Sequence, residues 1–333
     1  MTIRVAINGY GRIGRATLRA LYESTLRDKI KVVAVNDPQP LDTSVHLTQF
    51  DSTHGHFGQQ VSSHNGQMII GDNPIHYSQE CDPAKLPWGE LEIDVVLECT
   101  GRFRKRSEAA AHLQAGARKV IISAPAEGEI DLTCVYGINH SLLSSSHTVI
   151  SNASCTTNCL AHIIKPLNEN IGIEQGLIST VHAYTNDQVL IDSHHNDLRR
   201  ARSATQSIIP TSTGATRALE RVMPEISGKF DGVSLRVPTL NVSLVDLSFT
   251  ASRNTSSEEI NEIMREAADG ELLRYCEKPL VSIDYNHASA SANFDNTLTK
   301  VKGNLVRIYA WYDNEWGYAN RLLDTTQTLF NAH

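Results

Sequence analysis

Long apolar runs, an excess of basic residues and a dense set of cysteines are all missing from this chain of 333 residues. No apolar run approaches the roughly 18 residues of a membrane-spanning helix, so we expect no membrane contact. The 30 basic and 37 acidic side chains leave a net charge of −7, which argues against nucleic-acid binding. Six cysteines are too few for a disulfide framework, and we therefore expect a reduced, cytoplasmic location.

The remaining composition is that of an ordinary folded protein. Hydrophobic residues make up 41% and charged residues 20%, which excludes disordered and collagen-like classes. Because domains average about 150 residues, the length predicts two domains. No internal repeat or low-complexity tract interrupts the chain.

The first half is predicted to be a doubly wound α/β domain that ends near residue 150. Alternating apolar residues at 3–7, a helical pattern at 13–22 and a β-branched run at 31–35 form a strand–helix–strand unit. Such a unit requires a parallel sheet and a right-handed crossover. Further strands are predicted at 94–99 and 119–122, with a helical stretch between them at 107–116.

The second half is predicted to be an α+β domain with a mixed or antiparallel sheet, because its β-rich runs are long and few helices separate them. The predicted strands are 176–184, 233–237, 242–250 and 305–312, and the predicted helices are 154–170, 256–268 and a C-terminal helix from about residue 316.

A glycine-rich turn follows the first strand, with the pattern G-x-G-x-x-G at Gly9, Gly11 and Gly14. The first two glycines permit a tight turn and close approach to a pyrophosphate, and the third permits helix–strand packing. Asp37 ends the next strand, where a carboxylate binds ribose hydroxyls and repels the extra phosphate of NADP. We interpret the turn as an NAD site, although a tight turn without a ligand uses the same glycines.

The segment Ser151–Cys159 places Cys155 at the predicted start of a helix. That position lowers the pKa of a thiol and makes the sulfur nucleophilic. Cys155 and Cys159 have the spacing of a metal-binding pair, but the sequence offers no second pair, so no metal site is expected. We interpret Cys159 as a small buried residue.

His182 lies at the end of a predicted strand, where it is a candidate base for the thiol. Arg236 interrupts an apolar strand, which is costly unless the guanidinium meets an anion or a carboxylate. Together with the segments 197–202 and 209–214, Arg236 supplies the guanidinium, hydroxyl and amide groups that bind phosphate oxygens.

These segments resemble the phosphorylating glyceraldehyde-3-phosphate dehydrogenase family along nearly the whole chain. The resemblance rests on residues 7–15, on Ser151–Cys159 and on residues 311–318. It implies an NAD-binding Rossmann domain at 1–153, with the C-terminal helix at about 316–333 packed back on it, and a catalytic domain at 154–315. It also implies a homotetramer that oxidises a phosphorylated aldehyde and uses inorganic phosphate.

The resemblance also implies roles for single residues. Cys155 resembles the family's nucleophile and His182 its base. The positions that match NAD contacts are Gly9, Gly11, Arg12, Ile13, Gly14, Asp37, Thr100, Ser123 and Asn314. The positions that match contacts with the substrate and with inorganic phosphate are Ser154, Thr156, Thr185, Arg200, Thr213, Gly214 and Arg236, with Arg202 as the alternative to Arg200.

The sequence departs from the family pattern at a few positions. Cys81 stands where many members have an arginine, Ser193 replaces a common proline, and residues 286–290 lack an Asp-Pro-His. We predict oxidation of D-glyceraldehyde 3-phosphate, because Thr185 and the triplet Ser212-Thr213-Gly214 are retained. The alternatives are an erythrose-4-phosphate dehydrogenase of pyridoxal phosphate biosynthesis, a non-phosphorylating aldehyde dehydrogenase, and an NAD-binding protein without this activity.

Overall fold

The computed structural model describes residues 2–332, so Met1 and His333 of the predicted domain bounds lie outside the described residues. The chain divides into two compact units. The first comprises residues 2–154 together with 319–332, and the second is Cys155–Tyr318.

The first unit contains eleven of the described strands. They are β1 (Ile3–Asn8), β2 (Ile30–Asn36), β3 (Phe50–Asp51), β4 (Gly55–His56), β5 (Val61–His64), β6 (Gln67–Ile70), β7 (Asn73–Ser78), β8 (Val95–Glu98), β9 (Lys119–Ile122), β10 (Leu132–Thr133) and β11 (Val149–Ser151). Among the described residues, nine of these form one sheet in the order β10-β11-β9-β8-β1-β2-β7-β6-β5, and β3 pairs with β4.

The centre of this sheet is parallel, which confirms the predicted α/β class. β1 pairs in parallel with β2 on one side and with β8 on the other. The strand order therefore reverses at β1, and the carboxyl ends of these strands border a crevice. The antiparallel edge formed by β5, β6 and β7 was not predicted, because β5 is largely polar and exposed.

The N-terminal part of the first unit contains four described α-helices. They are α1 (Arg12–Glu23), α2 (Leu41–Gln49), α3 (Arg106–Ala109) and α4 (Ala111–Gln114). The helical stretch predicted at 107–116 is present as two short helices, because the chain tightens at Ala110, whose N–H is shared between the carbonyls of Arg106 and Glu108. Gly116 follows α4 with φ 103°, and a Cβ there would lie 2.5 Å from Gly89 Cα. Only glycine fits this position.

The second unit contains the strands β12 (Ile173–Ala183), β13 (Ile209–Ser212), β14 (Phe230–Val237), β15 (Ser243–Ala251), β16 (Leu273–Cys276), β17 (Ala292–Lys302) and β18 (Leu305–Tyr312). The described strands form one sheet in the order β13-β14-β12-β15-β18-β17-β16, with both parallel and antiparallel pairs, which confirms the predicted type of sheet. The sequence did not predict β13, β16 and β17. The helices are α5 (Cys155–Ile171), α6 (Ala215–Val222) and α7 (Ser257–Ala267). α5 packs against β15, β17 and β18.

The last helix, α8, spans Trp316–Asn331. From Ala319 onward its residues belong to the first unit, where Thr325 Oγ1 donates a hydrogen bond of 2.8 Å to Asn152 Oδ1. Within residues 2–332, none of the helices combines the length and apolar character needed to cross a bilayer.

Candidate active site

Cys155 is the first residue of α5, as the sequence predicted. Two residues before it, Ala153 has φ 55°, a left-handed conformation that turns the chain between β11 and the helix. The thiol Sγ lies 3.6 Å from Nε2 of His182. The structure therefore brings together the two residues that the sequence proposed as nucleophile and base.

His182 occupies the carboxyl end of β12 and is 5% exposed. Because β12 pairs in parallel with β14, His182 lies directly opposite Arg236. Arg236 Nη1 lies 2.8 Å from His182 Nδ1 and 3.2 Å from the carbonyl oxygen of Ala183. Arg236 was predicted to meet an anion or a carboxylate, and its nearest partner in the structure is this imidazole.

Nδ1 of His182 forms a hydrogen bond with only one of its two neighbours at a time, since the Ala183 carbonyl accepts and the Arg236 guanidinium donates, and this gives two tautomers. If Nδ1 is protonated, it donates to the Ala183 carbonyl at 2.7 Å, and the lone pair of Nε2 faces the thiol. If Arg236 donates to Nδ1, the proton lies on Nε2 and points at the sulfur. Burial, and then the charge of Arg236, lower the pKa of His182 to about 3. The imidazole is therefore neutral at pH 7 in either tautomer.

The expectation of a lowered thiol pKa is wrong for this arrangement. Burial raises the pKa of Cys155 above its ordinary value, because a thiolate loses solvation there. The charge of Arg236, the hydroxyl and amide of Thr156 and the Cys155 amide all act in the opposite direction. Cys159 is fully buried, and burial raises its pKa well above the ordinary value, in line with an inert core residue.

Tyr312 is a site residue to which the sequence assigned no role. Its hydroxyl lies 2.8 Å from Thr156 Oγ1 and 3.0 Å from Thr180 Oγ1, and its ring meets His182 edge-on at 6.0 Å. The pairing of β15 with β18 brings Tyr312 to this end of the sheet. Tyr312 lies in the segment 311–318, which resembles the family, and this was the only indication of a role that the sequence gave. Its place beside Thr156 and Thr180 depends on the register of the strands.

The groups predicted to bind phosphate lie in the second unit, except Ser154, which is the last residue of the first unit before Cys155. Arg236 Nε and both polar side-chain atoms of Gln188 are buried without a hydrogen-bond partner among the described residues. Arg200 is 20% exposed and pairs with Asp187 at 3.3 Å, whereas Arg202 is largely exposed and pairs with Asp192. The unpaired Arg236 Nε belongs to the guanidinium beside His182 and is a donor that an anion would satisfy.

The other predicted phosphate contacts fall on loops and helix starts. Thr213 Oγ1 accepts from the amide of Ala215, and Gly214 caps the N-terminus of α6. The carbonyl of Thr185 accepts from the Gln188 amide. Ser154 immediately precedes the nucleophile and is half-buried.

A cavity of about 320 Å³ lies at the carboxyl ends of β1, β2 and β8, and we call it the strand-end cavity. Its lining is Asn8, Gly9, Gly11, Asn36, Asp37, Pro38, Gln39, Glu80, Cys81, Cys99, Thr100, Arg102 and Phe103. A Cβ on Gly11 would meet no atom within 4 Å, so the backbone faces open space there. A Cβ on Gly14 would lie 2.4 Å from the Gly9 carbonyl, so helix α1 packs closely on the turn.

Asp37 presents its carboxylate to this cavity. Oδ2 accepts from the Tyr10 amide at 2.8 Å and Oδ1 from the Gln39 amide at 2.9 Å. These contacts fix the carboxylate and leave lone pairs for a ribose diol. The open glycine turn and this carboxylate fit a dinucleotide.

Several predicted NAD contacts lie outside the cavity lining. The Arg12 side chain pairs with Asp51, while Ile13 and Ser123 do not line the cavity. Thr100 does line the cavity, and its hydroxyl donates to Glu98. Asn314 belongs to the second unit, where its Oδ1 accepts from Ser243 Oγ at 2.9 Å. Residues 2–332 hold no cluster of three His, Cys, Asp or Glu suited to a metal ion.

Comparisons with known proteins identify the family of this chain. The NAD-binding domain model of glyceraldehyde 3-phosphate dehydrogenase matches residues 3–106, and the C-terminal domain model matches residues 154–314. The chain is 57% identical to the chromosomal glyceraldehyde-3-phosphate dehydrogenase of Cupriavidus necator over the full length of both. It is 53% identical to that of Pseudomonas aeruginosa, covering 100% of this chain and 99% of the relative. The chain therefore belongs to the glyceraldehyde-3-phosphate dehydrogenase family.

Proposed function

We propose that this chain oxidises D-glyceraldehyde 3-phosphate with NAD and inorganic phosphate to 1,3-bisphosphoglycerate, through a thioester on Cys155. The contact of 3.6 Å between Cys155 Sγ and His182 Nε2 is the observation that supports it most directly. The relatives named glyceraldehyde-3-phosphate dehydrogenase favour this substrate over erythrose 4-phosphate.

The chemistry divides into two stages at the sulfur. Cys155 Sγ bonds to the aldehyde carbon, and the thiol proton ends on the former carbonyl oxygen, giving a hemithioacetal. His182 Nε2 takes that proton as the hydride leaves, and NAD, when bound, accepts the hydride. The Cys155 amide and His182 stabilise the developing oxyanion.

In the second stage a phosphate oxygen attacks the thioester carbon. The C–S bond breaks, the Cys155 sulfur leaves as a thiolate, and the acyl phosphate is released. The thioester conserves the free energy of the oxidation until phosphate attacks.

Two anion sites flank the nucleophile in this proposal. Arg236 and Thr185 bind the substrate's phosphate, because the Arg236 guanidinium is partly buried and adjoins His182. Ser154, Thr156, Arg200, Thr213 and Gly214 hold the attacking phosphate. Arg200 is favoured over Arg202, because the charge of Arg200 acts on Arg236 whereas Arg202 is paired on the surface.

An assay of NAD reduction with and without inorganic phosphate tests this function. We expect sustained turnover only with phosphate, and a higher kcat/KM for glyceraldehyde 3-phosphate than for erythrose 4-phosphate. Sustained turnover without phosphate would instead identify a non-phosphorylating dehydrogenase. A higher kcat/KM for the four-carbon sugar would overturn the substrate and leave the mechanism in place.

Replacing Arg236 by leucine is expected to raise KM for the phosphorylated aldehyde, because the substrate's phosphate loses its guanidinium partner. The pKa of the Cys155 thiol should also rise, since the Arg236 charge lowers it in the native protein. KM and the pH profile of thiol alkylation measure the two effects. Arg202→Leu is the matched control, and an equal KM increase in that variant would contradict the assignment.

Replacing Asp37 by alanine is expected to reduce the preference for NAD over NADP. The carboxylate that binds the ribose diol and repels a 2′-phosphate is then missing. The ratio of kcat/KM for the two coenzymes is the measurement. Asp42→Ala removes a carboxylate outside the strand-end cavity and should leave the ratio unchanged. An unaltered ratio in Asp37→Ala would remove Asp37 from the coenzyme site.

We also propose that the chain assembles as a homotetramer in the cytoplasm. Leu190, Ile191 and Leu198 are 67%, 75% and 85% exposed within one loop of the described chain, which favours burial against further subunits. Light scattering of the purified protein measures the assembly.

A further inference from the structure

A buried carboxylate that the mechanism does not use lies at the end of β8. Glu98 is 1% exposed and accepts from four donors. Oε1 accepts from the amide of Thr100 at 2.8 Å and from its hydroxyl. Oε2 accepts from Asn8 Nδ2 at 2.6 Å and from His112 Nε2 at 2.9 Å. Because all four partners donate, the side chain serves as a carboxylate acceptor.

His112 is locked as a donor to this carboxylate. The indole Nε1 of Trp88 lies 3.0 Å from His112 Nδ1, and an indole N–H can only donate. Nδ1 therefore accepts, and the proton of the neutral ring lies on Nε2, which faces Glu98. Trp88 and His112 are both 0% exposed, so water does not compete for these contacts.

The two segments that Glu98 joins cross at the strand-end cavity. Asn8 precedes Gly9, and a Cβ on Gly9 would lie 2.5 Å from the Thr100 amide nitrogen. Gly9 also has φ 89°, so the glycine turn passes directly over Thr100. Glu98 bonds to the Thr100 amide with one oxygen and to Asn8 with the other, and so fixes both sides of this crossing.

The same network reaches a second wall of the cavity. Asn8 Oδ1 accepts from Asn36 Nδ2 at 2.7 Å, and Asn36 Oδ1 accepts from the Glu80 amide at 2.9 Å. Asn8, Asn36 and Glu80 all line the strand-end cavity. This series of buried hydrogen bonds thus connects Glu98 to the backbone on both sides of the space that a dinucleotide fills.

We propose that Glu98, oriented by His112 and Trp88, is a positioning residue for NAD: it holds the glycine turn against Thr100 and so preforms the strand-end cavity. The inference deepens the proposed function and rests on NAD as the coenzyme. Glu98 lies behind the turn and acts through Thr100 and Asn8. It lowers the cost of ordering the turn when the dinucleotide binds.

Glu98→Gln is the sharpest test, because glutamine has the same shape but replaces one acceptor by a donor. If the glutamine NH₂ occupies the Oε1 position, it faces the N–H donor of Thr100. If it occupies the Oε2 position, it faces the donors of Asn8 and His112. Every orientation therefore loses at least one charge-assisted bond. We expect Kd for NAD, measured by calorimetry, to rise about 10- to 100-fold.

The effect should be confined to the dinucleotide site. Kd for ADP-ribose, which lacks the nicotinamide, should rise by the same factor as Kd for NAD, and Cys155 alkylation without coenzyme should keep its native rate. Asn139→Ala is the matched control, since it removes buried hydrogen bonds to the Val135 amide and the Thr133 carbonyl of the same unit, outside the cavity lining. It should lower the melting temperature while Kd for NAD stays within twofold of wild type.

His112→Phe is a second variant, which removes one of the four donors and keeps an aromatic ring. It should raise Kd for NAD by a smaller factor than Glu98→Gln does. If Glu98→Gln does not fold, His112→Phe tests the proposal in its place. A native Kd in folded Glu98→Gln or His112→Phe, or an equal rise in Asn139→Ala, would overturn the proposal. Failure of the coenzyme assignment is a separate result, since wild-type protein would then bind no NAD.

Discussion

Replacing Cys155 by serine is expected to lower kcat for NAD reduction by about 10⁴-fold or more, since removal of a nucleophile costs most of an enzyme's chemical catalysis. A serine hydroxyl ionises far less readily than a thiol, and burial beside His182 disfavours its anion further. Binding of NAD should persist, because the strand-end cavity lies in the first unit. Steady-state kinetics and calorimetry measure the two quantities.

Cys159→Ala provides the control for this loss. Cys159 lies one helical turn after Cys155 and is 0% exposed. Its replacement should reduce stability through a small cavity and leave kcat close to wild type. If Cys155→Ser retained substantial turnover, or Cys159→Ala lost it, the nucleophile would be wrongly assigned.

His182→Asn should lower kcat by about 10²- to 10⁴-fold, which is the usual contribution of a general base. Folding and NAD affinity should be retained, because the base lies at the end of a strand in the second unit. A kcat within twofold of wild type would show that His182 does not take the proton.

The same variant should change the dependence of stability on pH. The pKa of His182 is about 3 in the folded chain and near 6.5 when unfolded, so the unfolded chain binds more protons between these values. The free energy of unfolding therefore falls as the pH decreases from about 6.5 towards 3. His182→Asn should show a shallower fall over this window in urea titrations, and identical slopes would contradict the buried neutral imidazole.

The sequence predicted those parts of the fold and site that depend on local pattern. The β1–α1–β2 unit, the glycine turn and Asp37 at the end of β2 follow from alternation, glycine chemistry and spacing within about 35 residues. The helix start at Cys155 was predicted for the same reason, since polar residues precede an apolar helical run.

Contacts that depend on strand register or on burial were not predictable from the sequence. Arg236 meets His182 because β12 and β14 pair in parallel at that register. Tyr312 reaches Thr156 through the pairing of β15 with β18. The thiol pKa of Cys155 was misjudged because the helix-start effect is visible in the sequence, whereas burial is not.

Mass spectrometry of the protein after mixing with NAD and glyceraldehyde 3-phosphate, without inorganic phosphate, tests the thioester on Cys155 most directly. We predict one NADH per active chain and an acyl adduct on the peptide that contains Cys155, which addition of phosphate removes as turnover begins. An adduct on another residue, or NADH formation that continues without phosphate and without an adduct at Cys155, would contradict the mechanism.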